Sequence, residues 1–246
     1  MAAPRFHVPL PLAPADAGRE VALPEATAHH ALRVLRLAAG DAITLFTGEG
    51  GEYAATLTRA DRRTTWARID AFDPVERESP LAVTLVQALP ASDTMDFVVR
   101  KAVEMGVRAI SPVTSERSAR VPAGERGDKR VAHWRQVAVA ACEQCGRNRI
   151  PDVHDPQPLL AWLAARDARP GILLAPTADA GLPALAAPAH ALDLLIGPEG
   201  GWTADEIERA RRAGVTAVRM GARVMRTETA GIAALAVIQT LWGDMR

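Results

Sequence analysis

No apolar run in the sequence approaches the roughly 20 residues that a membrane-spanning helix needs. The first residues, MAAPRFHVPLPLAP, are broken by prolines before any continuous apolar segment forms. A helical membrane anchor and a secretory leader are therefore not expected, and a cytoplasmic protein is. Cysteine is scarce: Cys142 and Cys145 are the only two. A redox C-x-x-C opens a helix after a strand, and zinc needs a second ligand pair. This pair instead sits inside HWRQVAVAACEQCGR, at helical spacing, so both read as small residues on one helix turn. Adjacent His29 and His30 supply no metal site either, because neighbours on a helix cannot face one ion; no metal is expected. Lysine is nearly absent, with Lys101 and Lys129 alone among 29 basic residues. The rest are arginine, the better fork for phosphate. Two nucleotide fingerprints are also missing: no glycine-rich loop is followed by Lys-Ser/Thr, and there is no G-x-G-x-x-G.

What is present is an ordinary soluble composition, 48% apolar and 24% charged over 246 residues. That is enough for a real core in one large domain or two modest ones. Net charge is zero, but unevenly spread. Residues 100–149 carry 11 Arg/Lys against 5 Asp/Glu, a local +6, while 1–78, 79–99 and 150–246 come to −2 each. Such a stretch suits a polyanion bound at one place; charge by itself favours the plainer reading, a solvated helix face.

Texture divides the chain. Residues 1–75 read as β-rich: DAITLFTGEGGEYAATLTRA gives two strands around Thr47–Gly51, TTWARIDAF a third, and HHALRVLRL a short helix before them. The charged, proline-flanked Asp73–Pro80 marks the boundary, leaving 76–246 as the second domain. There LAVTLVQAL, AISPV, GILLAP, ALDLLIG and VTAVRMG read as buried strands. They alternate with helices at MDFVVRKAVEMG, Lys129–Gly146, Ala204–Ala213 and about Thr229–Trp242. The pattern predicts an α/β domain with a mostly parallel sheet.

Two loops at strand ends stand out. In LLIGPEGGWTADEIERARRAG, Thr203 and Glu206 form a capping box, and Gly197-Pro198-Glu199-Gly200-Gly201 is a tight loop between a buried strand and a helix. Ligands bind at such strand ends in open α/β sheets. Pro198 removes an N–H and Glu199 adds a negative charge, so a neutral or cationic ligand suits the loop better than a polyphosphate. A plain tight turn is the alternative. The second loop is Met220-Gly221-Ala222-Arg223-Val224-Met225-Arg226-Thr227-Glu228-Thr229-Ala230. Thr227 or Thr229 as a helix cap and Glu228 at the positive end account for part of it. Arg226 is not explained that way, because a cation at a helix N-terminus opposes the dipole. Breaking a local rule marks it as a candidate for function.

Together these loops resemble the RsmE family of SPOUT methyltransferases, which methylate N3 of a uridine in small-subunit (16S) ribosomal RNA. Ile196–Trp202 matches the family's GPEGG-aromatic loop, and Met220–Ala230 its LGxRILRxETA loop. QCGRNRIP (Gln144–Pro151) resembles its QxxRxxxP segment, and Lys101–Val107 its KATELGV helix end. His29-His30, Val34-Leu35-Arg36 and Gly40-Asp41 match its HHxxVLRLxxGD start. The resemblance covers nearly the whole chain. Departures are Met220 and Met225 in place of leucines, and the stretch Pro90–Asp96, which lacks the Lys-Gly pair family members often carry.

The resemblance implies a PUA-like β-barrel that grips RNA, followed by a SPOUT domain with a trefoil knot, a known exception to un-knotted chains. It implies S-adenosylmethionine held in a bent form by Leu174, Ile196, Gly197, Pro198, Glu199, Gly200, Gly201, Met220, Gly221, Val224, Met225, Arg226, Thr229 and Ala230. RNA contacts are expected from His29, His30, Arg33, Arg36, Arg117, Gln144, Arg147 and Arg149. A homodimer is implied, with the last helix, AGIAALAVIQTLW, at its interface. Trp134 is read as core rather than as a platform for a base.

Methyl transfer from a sulfonium is an in-line displacement, so most of the catalysis is alignment. Uridine N3 carries a proton, so the site needs a base or a cation that stabilises the developing anion. Arg226 and Arg147 are the candidates for the cation; Arg147 reads equally as a phosphate contact. Glu228 is either the base or the group that orients Arg226. A carboxylate beside arginine has its pKa lowered, which favours orientation. Glu199 either balances the sulfonium or is a turn residue. The expected substrate is the assembled small subunit. Alternatives are a methyltransferase for another RNA site and a non-catalytic RNA-binding assembly factor.

Overall fold

The structure is a computed structural model that describes residues 3–60, 64–91, 94–119 and 124–245. Ser92 and Asp93, in the stretch that departs from the family pattern, lie outside the described residues. Two compact units result: Met1–Glu78 with Cys142–Ile150, and Ser79–Ala141 with Pro151–Arg246.

The first unit holds a five-stranded sheet in the order β1 (Arg5–His7), β3 (Ala42–Phe46), β4 (Glu52–Ala60), β5 (Thr65–Asp73), β2 (Glu20–Ala22). β1 runs parallel to β3 and the other pairs are antiparallel. Alternation sets the buried face: Tyr53, Ala55 and Leu57 point inward from β4, Ala67 and Ile69 from β5, against Phe6, Ile43 and Leu45. That period of two is why three of the strands are legible in sequence. β1 and β2, three residues each beside prolines, are too short to show a period. The expected helix at His29 begins earlier, as α1 (Glu25–His29) after Pro24, and passes into a π-helical turn, His30–Val34. Arg36 then takes φ 58, a left-handed conformation rare for arginine.

Cys142–Ile150, which the division at 75/76 assigned to the second domain, groups with this unit through its polar contacts. Arg147 Nε donates to Glu78 Oε1 at 3.0 Å, Asn148 Nδ2 to the Val75 carbonyl at 2.9 Å, and Arg149 Nη2 to Glu76 Oε1 at 2.9 Å. Arg5 joins the network by donating to Glu52 and to Asn148 Oδ1, and Arg77 donates to Glu52 at 2.9 Å and to the Gly146 carbonyl at 3.0 Å.

The second unit is built on a sheet in the order β12 (Val215–Val218), β10 (Gly171–Leu174), β11 (Ala191–Ile196), β6 (Ala82–Ala88), β7 (Ala109–Thr114), β8 (Asp152–Val153), with β9 (Gln157–Pro158) also paired to β7. Every pair is parallel. The largely apolar strands β6, β7 and β11 are buried throughout their centres, polar Thr84, Gln87, Ser111 and Asp193 included, as strands covered on both faces must be. α2 (Met95–Glu104) buries Met95, Val98, Val99, Ala102 and Val103, one stripe at helical spacing. α3 (Glu125–Cys145) starts four residues earlier than expected, with Glu125 and Asp128 at its positive end; Trp134 on it is core. α4 (Leu159–Ala165) and α5 (Ala204–Arg212) complete the middle of the unit. α6 (Thr227–Trp242) buries only Thr227, Gly231, Ala234, Leu235, Ile238 and Gln239. Among the described residues no helix is long and apolar enough to cross a membrane.

One charge in the first unit is set by its neighbours. Burial pushes the Glu52 carboxyl up, but hydrogen bonds from Arg77 and Arg5 outweigh it and hold the group at about 2, against an ordinary 4.5. A carboxyl lowered in the folded state adds stability that is complete above its unfolded value and is lost as pH falls toward the folded one. Urea unfolding measured from above pH 4.5 down towards about 2 is expected to show this loss in the wild type and a shallower one in Glu52→Gln. Equal slopes would contradict the assignment.

Candidate active site

Three neighbouring parallel strands, β12, β10 and β11, end at the same level, because Leu174 pairs with Val218 and Leu173 with both Ala217 and Leu195. The loops that leave them enclose a cavity of about 470 Å³. Leu174 lines it from the end of β10, and Ile196 from the end of β11. Gly197, Pro198, Glu199 and Gly201 follow on the first loop. Met220, Gly221, Val224, Met225 and Arg226 line it from the loop after β12, and Ala230 from α6. Gly200 and Thr229, expected here from the resemblance, do not line it. Gly200 is covered by Arg117, whose Nη1 donates to the Gly200 carbonyl at 2.9 Å.

The rest of the wall is Ala175, Pro176 and Thr177, in the region after Leu174 that the resemblance implicates, Arg223 and Thr227 of the second loop, and Trp202, Ile207 and Val218, which were not expected there. Signals existed for Trp202 and Thr227. Trp202 ends the GPEGG-aromatic motif, and Thr227 sits inside the arginine-containing loop, where a helix cap was the plainer expectation for it. It caps nothing: Arg226 holds the N-cap position without a side-chain bond. The Thr227 hydroxyl instead donates to the Gly197 carbonyl at 2.6 Å and accepts from Gln87 Nε2 at 3.0 Å.

The first loop is bare for two physical reasons. A Cβ on Gly197 would stand 3.2 Å from the Trp202 indole. Gly201 has φ 66, open to glycine without strain. The helix beyond is fixed by the expected capping box: Glu206 N donates to Thr203 Oγ1 at 3.2 Å and Thr203 N to Glu206 Oε2 at 2.8 Å. Glu206 Oε1 also accepts from the Glu116 N–H at 2.8 Å. The Glu199 carboxylate accepts from the Ala91 N–H at 3.0 and 3.1 Å. Both readings of Glu199 thus have a basis: it shapes the turn, and it puts a negative charge on the cavity wall. Arg223 and Arg226 are exposed at the rim, and their guanidinium groups have no hydrogen-bond or ion-pair partner among the described residues. Glu228, half-buried, does not pair with Arg226, so the expected orienting contact is absent.

The cavity suits a cofactor with an apolar ring and a cationic centre. Its size falls in the usual small-molecule range of roughly 300–1,000 Å³. Ile196, Val218, Met220 and Met225 supply an apolar wall and Glu199 the charge. At Gly201 and Gly221 a side chain would project into open space.

The other expected site residues belong to the first unit. His29, Arg33 and Arg36 are exposed on α1 and the turn after it, while His30 packs edge-on against Phe6 at 5.7 Å. Gln144 is exposed at the end of α3. Arg149 is paired with Glu76. Arg147, expected to stabilise an anion, is 4% exposed, bonded to Glu78, and not a lining residue of the cavity. Its burial beside a carboxylate makes it a structural ion pair. Burial pushes the Cys142 thiol up to about 12, and Sγ donates to the Arg149 carbonyl, so that sulfur is a packing group.

Residues 77–239 match the family described as the RNA methyltransferase domain, and residues 23–70 the RNA methyltransferase PUA domain. The ribosomal RNA small subunit methyltransferase E of Buchnera aphidicola (subsp. Schizaphis graminum) is 30% identical over 226 residues, 92% of each chain. The crystal structure of a ribosomal RNA small subunit methyltransferase E from Neisseria gonorrhoeae bound to S-adenosyl methionine is 39% identical, with a TM-score of 0.92 over 100% of both chains. The structure of a putative methyltransferase from Legionella pneumophila, in complex with the same cofactor, is 32% identical, with a TM-score of 0.93 over 99% of this chain and 100% of that one.

Removing one partner of a buried ion pair leaves an uncompensated charge and costs about 3–5 kcal/mol. Arg147→Met is therefore expected to lower unfolding stability by about that much, and Glu78→Met in the same chain to restore part of it. An Arg147→Met protein of unchanged stability and reduced turnover would return Arg147 to a chemical role.

Proposed function

Because the chain belongs to the ribosomal RNA small subunit methyltransferase E family, we propose that it transfers a methyl group from S-adenosylmethionine to N3 of one uridine in small-subunit (16S) ribosomal RNA. The observation that carries the reading is the glycine-lined cavity at the ends of β10, β11 and β12, with two unpaired arginines at its mouth. When bound, the cofactor supplies an electrophilic methyl group on a sulfonium. Leu174, Ile196, Val218, Met220 and Met225 bound the space for its apolar part. Glu199, held by the Ala91 N–H, supplies the negative charge for the sulfonium. Arg226 stabilises the negative charge that develops on the uracil oxygens as N3 loses its proton, since an exposed guanidinium with no carboxylate partner is free to meet it. Glu228, not engaged by Arg226 and not itself a lining residue of the cavity, stays the candidate for the base.

His29, Arg33, Arg36 and Gln144 are the RNA-facing group of the first unit, with Arg117 in the same role in the second. The assembled subunit is the preferred substrate, because a small reading domain with net charge −2 over 1–78 is ill suited to find one nucleotide alone. A homodimer is supported by α6, whose Leu241 stays 39% exposed and whose Ile232, Ala233 and Val237 are only half-buried. The cytoplasm, where such subunits assemble, is the proposed location.

The test is methyl incorporation from labelled S-adenosylmethionine into small subunits that lack the modification, mapped by nuclease digestion and mass spectrometry. A single N3-methyluridine is expected. Arg226→Ala should lower kcat about 10²- to 10³-fold, the cost of losing one oxyanion-type donor, with cofactor affinity little changed. Product at another base or on ribose would contradict the N3 assignment, and wild-type turnover in Arg226→Ala would remove Arg226 from the chemistry.

A further inference from the structure

Beneath the cavity, and not among its lining residues, lies a polar side chain that neither sequence pattern nor the proposed chemistry uses. Gln87, on β6, is fully buried. It pairs in register with Ile196, the last residue of β11 before the Gly197 loop. Its Nε2 donates to the Ala88 carbonyl at 2.9 Å and to the Thr227 hydroxyl at 3.0 Å. Its Oε1 is buried with no partner among the described residues.

These contacts fix every proton. An amide nitrogen only donates, so the Thr227 oxygen accepts from it and keeps its single hydrogen for the Gly197 carbonyl, 2.6 Å away. Turning the amide over would set its oxygen against the Ala88 carbonyl, acceptor on acceptor, and free the Thr227 hydrogen to leave Gly197. A glutamine that strands a buried carbonyl oxygen is a poor choice for packing, since an apolar side chain of the same size avoids that penalty. Its fitness lies in what Nε2 does.

We propose that Gln87 is a positioning residue for methyl transfer: by polarising Thr227 it latches the first turn of α6 to the Gly197 carbonyl, and so holds the two loops of the cofactor cavity in one arrangement. Gly197 opens the first loop, and Thr227 closes the second. No other hydrogen bond among the described residues joins the two segments directly. Pro198 follows Gly197 and has no N–H of its own, so the bond from Thr227 is what sets the plane of that peptide.

The latch deepens the reading of the cavity as the S-adenosylmethionine site and rests on it, but one consequence does not involve the cofactor. In Gln87→Met, nearly isosteric and without the donor, backbone hydrogen exchange of residues 197–201 and 221–230 is expected to rise at least tenfold with no cofactor present. In calorimetry the same variant should bind S-adenosylmethionine at least tenfold more weakly, with a smaller change in KM for the RNA substrate. Thr227→Val should match it, and the double variant Gln87→Met/Thr227→Val should be no worse than either single one, because both cut one chain of bonds. Thr227→Ser, which keeps the hydroxyl, should bind the cofactor within about threefold of wild type, whereas a purely packing role for Thr227 would be sensitive to the lost methyl. Exchange in the two segments unchanged in Gln87→Met, or effects of the two substitutions that multiply, would overturn the latch. A wild type that binds no S-adenosylmethionine while Gln87→Met still loosens both loops would instead overturn the cofactor reading and leave the latch standing. Should Gln87→Met fail to fold, Gln87→Glu and Thr227→Val decide. Buried beside the Ala88 carbonyl, the new carboxyl is held neutral and its O–H can replace Nε2 at the Thr227 oxygen, so wild-type exchange is expected in Gln87→Glu. Thr227→Val, which has no hydroxyl for the Gly197 carbonyl, should show the exchange rise, and wild-type exchange in it would refute the proposal.

Discussion

Parallel pairing of β6, β11, β10 and β12 is the constraint on which the rest depends. In a parallel sheet all chain exits lie on one edge, and the register aligns Leu174 with Val218 and Gln87 with Ile196. Three loops therefore leave the sheet side by side, and their backbones bound a single cavity. At the other end of β11 the register is held by charge. Asp193 is fully buried beside Arg166, which donates to it at 3.1 Å and also to the Ala213 and Arg169 carbonyls. Burial raises the Asp193 carboxyl while Arg169 and Arg166 oppose the shift. A slip of one residue would break that pair and separate the loops from one another.

Much of this was legible because the signals are local. Mostly apolar runs marked the strands of the second unit, and Thr203 with Glu206 the start of α5. The glycines of the first loop marked a strand end where backbone approaches something closely. What escaped depends on partners distant in sequence. Nothing near Arg147 reveals that Glu78 waits for it, so an arginine in a basic stretch read as a group for anions. Nothing near Thr227 points to Gln87, 140 residues away, so a threonine at a helix start read as a cap. β1 and β2 escaped for another reason: three residues cannot display a period of two.

The arginines divide by what sits beside them. Arg147, Arg149, Arg166, Arg5 and Arg77 each meet a carboxylate, and they hold segments together. Arg223 and Arg226 meet none among the described residues, and both stand at the mouth of the cavity. A chain almost without lysine thus uses one side-chain type for two tasks, and an available carboxylate separates them. The same test applies to the basic stretch 100–149, where Lys101 meets Glu104 and Arg135 meets Asp155, in keeping with the plainer reading that charge by itself favoured.

S-adenosylmethionine is proposed to bind between the loops after β10, β11 and β12. A crystal structure of the chain grown with that cofactor tests it most directly. Density is expected for one cofactor molecule enclosed by Leu174, Gly197 and Met225, with its sulfonium on the Glu199 side. Density elsewhere, or an empty cavity at saturating cofactor, would contradict it.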